Sequence, residues 1–255
     1  MDDDRCVRVA TYNIRHGAPA GRRADLRGTE AAVASFDADL VALQEVDRRV
    51  IRSYFTDQAA RLGHAAGHSA HFAPARRLAL IGQYGNALLV RGPVLRLELV
   101  RLRSLGEQRV ALVASVQLGA EQVTVLSTHL QNTRRGRPPE APDQLVQILH
   151  ELQRWPRPWV LMGDLNLRAG EVLPQLEAAG MQAVQSSPTF PSDSPRICID
   201  WIAVAGMTVR SVEVPELRAS DHRPIVAELD VDPTIEVALG SAERLGRDVA
   251  GPCTG

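Results

Sequence analysis

The chain has 255 residues, of which 45% are hydrophobic and 23% charged, with a formal net charge of -1. That length suffices for one large α/β or two-sheet domain or two small ones, and the composition is that of an ordinary globular protein. Near-neutrality excludes a global positive field of the kind that gathers nucleic acid. The basic residues are all arginine and none is lysine, which suits bidentate phosphate recognition.

Cys6, Cys198 and Cys253 are odd in number, widely spaced and without a Cys-x-x-Cys pair, so neither a disulfide framework nor a zinc knuckle is suggested. No apolar run approaches the length of a membrane span. The stretch Met1-Asp2-Asp3-Asp4-Arg5 is acidic where a signal peptide would be basic and then apolar. A cytoplasmic monomer is the expectation.

Taken in order, Cys6 to Ile14 reads as a buried strand in which Val7, Val9 and Tyr12 alternate and Asn13 arrives where the apolar pattern ends. Arg15-His16-Gly17 and a Pro/Gly/Arg loop follow. Thr29 to Phe36 reads as a short helix capped by Thr29, and Ala38 to Leu43 as a second buried strand delivering Gln44-Glu45 at its end. Tyr54 to Leu62 looks helical. His64, His68 and His71 invite a zinc reading by their spacing, but Gly63, Gly67 and Pro74 favour a surface loop.

Gln83 to Val90, Val94 to Arg103, Arg109 to Leu118 and Gln122 to Leu130 are separated by Gly or Pro and predict an antiparallel meander. The polar loop from Gln131 to Pro139 carries Arg134, Arg135 and Arg137. Asp143 to Arg154 is an amphipathic helix with Leu145, Ile148, Leu149 and Leu152 on one face. Trp159 to Met162 is an apolar strand running into Gly163-Asp164-Leu165-Asn166, and Gly170 to Ala179 is a further helix. Thr189-Phe190-Pro191 lies in a turn-rich loop. Ile197 to Val204 is a strand holding Asp200 between Ile199 and Trp201, and Thr208 to Val214 follows. Residues 1–232 form a single domain in this reading, with 233–255 a weakly patterned tail.

The stretch Ser220-Asp221-His222-Arg223-Pro224 places an acid, an imidazole and a guanidinium before the alternating run Ile225 to Leu229. Pro224 biases its neighbour towards extended geometry, so the trio sits at the lip of a strand, where a rigid sheet can hold reacting groups. Asn13, Glu45, His129, Asp164, Asn166, Asp200, Asp221 and His222 all fall at strand ends or in strand-end loops. Each alone has a bland explanation, such as a turn, a helix start or an Asx-turn for Asp164 and Asn166. Asp200 is harder to dismiss, because an acid flanked by Ile and Trp in a strand is buried and needs a partner.

The ordered set resembles the endonuclease/exonuclease/phosphatase superfamily, the fold of pancreatic deoxyribonuclease. The residues that carry the resemblance are Thr11-Tyr12-Asn13-Ile14, Gln44-Glu45, Tyr84-Gly85-Asn86-Ala87, Ser127-Thr128-His129-Leu130, Gly163-Asp164-Leu165-Asn166, Ile199-Asp200-Trp201 and Ser220-Asp221-His222-Arg223-Pro224, spanning residues 7 to 230. Thr189-Phe190-Pro191 also looks like bacterial members. The resemblance implies an α/β fold, a four-layer α-β-β-α sandwich of two packed mixed sheets flanked by helices, in agreement with the pattern of elements.

It also implies a Mg²⁺-dependent phosphoester hydrolase, with Mn²⁺ as an alternative ion. Glu45 and Asn13 would hold the metal, with Asp221 binding directly or through water, which suffices for a hard ion that keeps several waters. Asp164, Asn166, Asp200 and His222 would be catalytic. His222, paired with Asp200, would accept a proton from the attacking water or bind the phosphoryl group. Asp164 would orient or deprotonate that water while Asn166 donates to the phosphate. Which of Asp164 and His222 is the base stays open. Arg15, His16, Asn86, Arg134 and Arg223 would contact substrate. His129 is the residue of the deoxyribonuclease and sphingomyelinase branches, placed to protonate a leaving oxygen. Ile197-Cys198-Ile199-Asp200 stands where inositol polyphosphate 5-phosphatases carry Trp-Cys-Asp-Arg, and the lysine-rich surface of abasic-site endonucleases is missing.

Two classes of function remain: a phosphodiesterase, and a binding module that kept the fold and lost the chemistry. Glu45, Asp164, Asp200, Asp221 and His222 are all in place, which favours the enzyme. The basic clusters Arg22-Arg23, Arg76-Arg77 and Arg134-Arg135 with Arg137 are short and local. They point to a small or lipid-linked phosphodiester as partner, with nuclease action on DNA or RNA the alternative.

Overall fold

In β1 (Cys6–Asn13), Val7 and Val9 face one way and Ala10 and Tyr12 the other, and both faces are buried. The same holds in β8 (Trp159–Asp164), where Val160 and Met162 lie opposite Trp159 and Leu161. Strands that are apolar on both faces must be covered twice, and that requirement generates the layers. Val7, Val9, Val160 and Met162 meet between two sheets, while the other faces pack under helices. The computed structural model, which describes residues 6–19, 23–132, 139–184 and 186–232, is thus a four-layer α-β-β-α sandwich.

The first sheet has six strands in the order β11 (Met207–Glu213), β12 (Ile225–Val231), β1, β2 (Leu40–Arg48), β4 (Gly82–Val90), β3 (Ser69–Leu78). The second has six in the order β5 (Val94–Arg101), β6 (Val110–Leu118), β7 (Glu121–His129), β8, β10 (Asp200–Ala205), β9 (Gln182–Ala183). Each sheet contains one parallel pair, β1 with β2 and β7 with β8, and is otherwise antiparallel. The parallel pairs are joined through α1 (Leu26–Ser35) and α3 (Ala141–Leu152). With α2 (Gln58–Ala66) and α4 (Ala169–Ala178) these helices make the outer layers. The carboxyl ends of the parallel strands, where ligands sit in sheets of this kind, carry Asn13, Glu45, His129 and Asp164.

Several elements differ from the sequence reading. α1 starts at Leu26, because the Asp25 side chain accepts from Arg27 N; Thr29 is buried inside the helix and caps nothing. α2 starts at Gln58, where Asp57 accepts from Ala60 N, while Tyr54 and Phe55 have φ of 55° and 57° and stand outside it. The segment around His64, His68 and His71 is the end of α2 followed by β3 rather than a surface loop. Pro74 is tolerated there because β3 is an edge strand with a register shift between Pro74 and Arg76. The meander is shorter than its spacing predicts: β4 pairs with β2 and β3 in the first sheet, and only β5, β6 and β7 form one in the second. The tail from 233 to 255 lies outside the described residues.

Candidate active site

One row across the second sheet supplies three of the polar groups. In the pairing of β7 with β8 and of β8 with β10, His129 is opposite Asp164 and Asp164 opposite Asp200. All three side chains are buried. The row depends on Gly163, whose φ is 155° and at which a Cβ would lie 2.0 Å from Thr128 O, so only glycine lets β7 and β8 approach just before Asp164.

Donors converge on a single carboxylate oxygen, Asp164 Oδ2. Asn13 Nδ2, at the end of β1 in the other sheet, donates to it at 3.0 Å. His129 Nε2 lies 3.4 Å away and His222 Nε2 3.9 Å. The other oxygen, Oδ1, accepts from Asn166 N at 3.0 Å. The site therefore straddles the seam between the sheets.

The two histidines are held in opposite states. Asp200 Oδ2 contacts His222 Nδ1 at 2.8 Å and accepts from the Thr189 hydroxyl. Burial opposes charge on His222, but the Asp200 carboxylate outweighs it and lifts the pKa to about 10. The ring is backed by Phe190, with centroids 4.8 Å apart. His129 takes the reverse arrangement: Arg109 Nη1 lies 3.2 Å from its Nδ1. Burial and the cationic Arg109 hold its pKa well below the usual imidazole value. An arginine only donates, so Nδ1 accepts and the proton of the neutral ring is on Nε2, facing Asp164. Burial, reinforced by the Asp200 charge, raises the Asp164 carboxyl to about 7.

Glu45 is aimed by a bulge. Leu43 pairs with Ala87 and Val46 with Gly85, so Gln44 and Glu45 together oppose Asn86, and Glu45 adopts φ 58°. A bulge re-aims a side chain and places strain where function can use it. Glu45 Oε1 accepts from Asn13 Nδ2 at 3.2 Å. Arg15 N donates to Asn13 Oδ1 at 3.1 Å, and Arg15 Nε pairs with Asp221 at 3.3 Å. The buried group Asp164, Asp200 and His222, whose ligand atoms lie within 4.8 Å of one another, could hold a cation, while Asn13, Glu45 and Asp221 are linked to one another through Asn13 and Arg15.

The remaining sequence candidates take varied places. His16 follows Arg15 in a short turn, its carbonyl held by Gln58 Nε2 at 2.7 Å and its pKa lowered by burial and by Arg52. It lines a cavity of about 330 Å³ with Arg23, Arg52 and Tyr54. Asn86 Nδ2 donates across the seam to Val110 O at 3.1 Å, and Asn166 Nδ2 to Leu130 O at 3.1 Å. Arg223 Nε donates to Ser192 O at 2.8 Å and Nη1 pairs with Glu216, so it tethers the loop that carries Thr189. Arg22, Arg134, Arg135 and Arg137 lie outside the described residues. Sequence reasoning missed Arg109 and Thr189 as partners of the histidine and the acid. The signal for Arg109 was a lone arginine heading an apolar strand.

A family model described as "Endonuclease/Exonuclease/phosphatase family" matches residues 10–222. No curated protein matches the chain significantly. Among solved structures, an endonuclease/exonuclease/phosphatase from Beutenbergia cavernae is 22% identical with a TM-score of 0.71, covering 89% of this chain and 72% of that one. The endonuclease/exonuclease/phosphatase from Bacteroides vulgatus is 21% identical with a TM-score of 0.72, over 89% and 99%. ANGEL2, described as a 2',3'-cyclic phosphatase, is 17% identical with a TM-score of 0.68, over 88% and 95%.

Proposed function

The chain belongs to the endonuclease/exonuclease/phosphatase family, whose members are phosphoester hydrolases, and on that premise we propose that it is a divalent-metal-dependent phosphodiesterase. The observation that carries this reading is the convergence of Asn13, His129 and His222 on Asp164 Oδ2. It provides a base near neutral pH flanked by a cationic and a neutral donor, as hydrolysis at phosphorus requires.

The metal is assigned to Asn13, Glu45 and Asp221, with Mg²⁺ or Mn²⁺ as the ion. All three offer hard oxygen donors, and Glu45 Oε2 takes no hydrogen bond among the described residues. In the other donor set His222 Nδ1 is committed to Asp200, and a ligating ring would have to be neutral. Held by these residues, such an ion would supply positive charge against the negative charge that builds on the phosphate.

Asp164 accepts the proton of the attacking water. His222, charged through Asp200, presents Nε2–H to a phosphoryl oxygen. His129 presents its Nε2–H to the leaving oxygen, and the free N–H of the Asn166 amide is a further donor. For substrate, a small or lipid-linked phosphodiester is favoured over long duplex DNA. Among the described residues, four arginines near the site are each ion-paired: Arg15 with Asp221, Arg52 with Asp47, Arg76 with Glu107 and Arg223 with Glu216. Duplex binding calls instead for several free cations along one face.

The test is turnover of bis-p-nitrophenyl phosphate, sphingomyelin, phosphatidylinositol, plasmid DNA and single-stranded RNA with Mg²⁺ or Mn²⁺. Small or lipid diesters are expected to lead. Efficient duplex cleavage with a salt slope worth about five or more phosphate contacts would restore the nuclease reading.

A further inference from the structure

Of the apolar side chains left in solvent, Leu95, Leu105 and Val146 stand elsewhere on the surface, but five gather in one place. Ile51, Tyr54 and Phe55, from the turn after β2, and Leu80 and Ile81, from the turn between β3 and β4, are all more than half exposed, Leu80 at 93%. Four of them, Ile51, Phe55, Leu80 and Ile81, line a groove of about 530 Å³. Tyr54 stands beside it on the cavity that holds His16. A scattered exposed leucine needs no explanation, but a contiguous apolar patch marks an interaction surface.

The turn that displays these groups is closed at its neck. Arg49 N donates to Thr56 O, Phe55 N to Val50 O, and Arg48 pairs with Asp57. Tyr54 and Phe55 nevertheless occupy the left-handed region at φ 55° and 57°, which disfavours bulky residues. Glycine or asparagine would form this turn more easily, so the rings are held outward against the preference of the backbone.

Charge names the partner. Arg48, Arg52 and Arg76 flank the patch and are matched by Asp57, Asp47 and Glu107. Arg49 and Arg77 flank it too and have no carboxylate partner among the described residues. Aliphatic and aromatic groups projecting through unpaired guanidinium groups fit a membrane interface, with side chains entering the acyl boundary and cations at the headgroups. The patch also lies at the end of the first sheet that holds the site. Along β2, Glu45 precedes Arg48 by on the order of 10 Å of strand rise, and Arg48 pairs with Gln83 next to the Leu80 turn.

We propose that this patch docks the protein on an anionic phospholipid bilayer, so that the phosphodiester taken at the site is a lipid headgroup linkage. The docking stands on exposure, backbone geometry and charge. Only the headgroup as substrate rests on the hydrolase reading above.

The test is co-sedimentation of the full-length chain with vesicles of phosphatidylcholine alone or doped with phosphatidylglycerol, in EDTA so that binding is read apart from turnover. Retention on the doped vesicles is expected, weakened by salt. Leu80→Ser/Ile81→Ser and Arg49→Gln/Arg77→Gln should each lower the partition about tenfold, while both still turn over soluble bis-p-nitrophenyl phosphate with metal. Equal partition of variants and wild type, or no retention of the wild type, overturns the docking. A concentration-dependent dimer abolished by Leu80→Ser/Ile81→Ser also overturns it, by assigning the patch to contact between copies. Retention without turnover of any lipid diester sustains the docking and sinks the headgroup assignment.

Discussion

Arg109 Nη1 lies 3.2 Å from His129 Nδ1, and each of the two residues is 5% exposed. An imidazole against a carboxylate is drawn towards the cation, whereas one against a guanidinium is kept neutral and in one tautomer. Burial first, and Arg109 second, set the direction of the His129 shift.

This arrangement has a pH signature. His129 is neutral when folded, while its unfolded pKa is about 6.5. Its contribution to stability is therefore full above that value and is lost as pH falls below it, because the unfolded chain binds the extra proton. In EDTA, the stability of wild type relative to His129→Gln is expected to fall by up to about 1.4 kcal/mol per pH unit below pH 6.5 or so. Urea denaturation across that range reads it. An NMR titration should find the His129 ring proton on Nε2, and Arg109→Gln should raise the pKa; an unmoved titration would contradict the pairing.

Asp164 and His222 are expected to matter through turnover rather than substrate affinity. Asp164→Asn and His222→Ala should each lower kcat by about 10² or more with little change in KM. Asp200→Asn removes the carboxylate that holds His222 charged, so the high-pH limb that His222 sets should move to lower pH. Near-wild-type kcat in His222→Ala is the result that would refute its assignment.

Activity is expected to require Mg²⁺ or Mn²⁺, to vanish in EDTA and to return on adding metal back. Glu45→Gln should weaken Mn²⁺ binding measured by calorimetry or EPR, and Asp200→Asn should do so far less. Weakening in Asp200→Asn with none in Glu45→Gln would move the ion to the buried Asp164, Asp200 and His222 group. Since few protein ligands hold the ion, far-UV CD of the metal-free chain should stay that of a folded protein.

Gly163 is expected to be irreplaceable. A Cβ there meets Thr128 O at 2.0 Å, backbone against backbone, with no flexible side chain to give way. Gly163→Ala should cost about 3 kcal/mol or more by urea denaturation. Gly170→Ala, in α4 with nothing within 4 Å of the added carbon, should be neutral or slightly stabilising.

Much of this molecule was legible in the chain because strand alternation is a local signal. Asn13, Glu45, His129, Asp164 and Asp200 could be placed at the ends of apolar runs without knowing which run lies beside which. Pairing is not local. The turn at Arg91-Gly92-Pro93 looks like those around it, yet there the chain leaves one sheet for the other, taking β4 out of the expected meander. Tyr54 and Phe55 read as helix by composition, and only the closed turn between Val50 and Thr56 turns them outward. The identities of the polar residues determined by themselves that four acids, two histidines and two amides would stand at strand ends or in strand-end loops. The tertiary structure decided their states, because charge in a buried site depends on what the other sheet and the paired strand bring within a few ångströms: Asn13 to Asp164, Arg109 to His129, and Asp200 to His222.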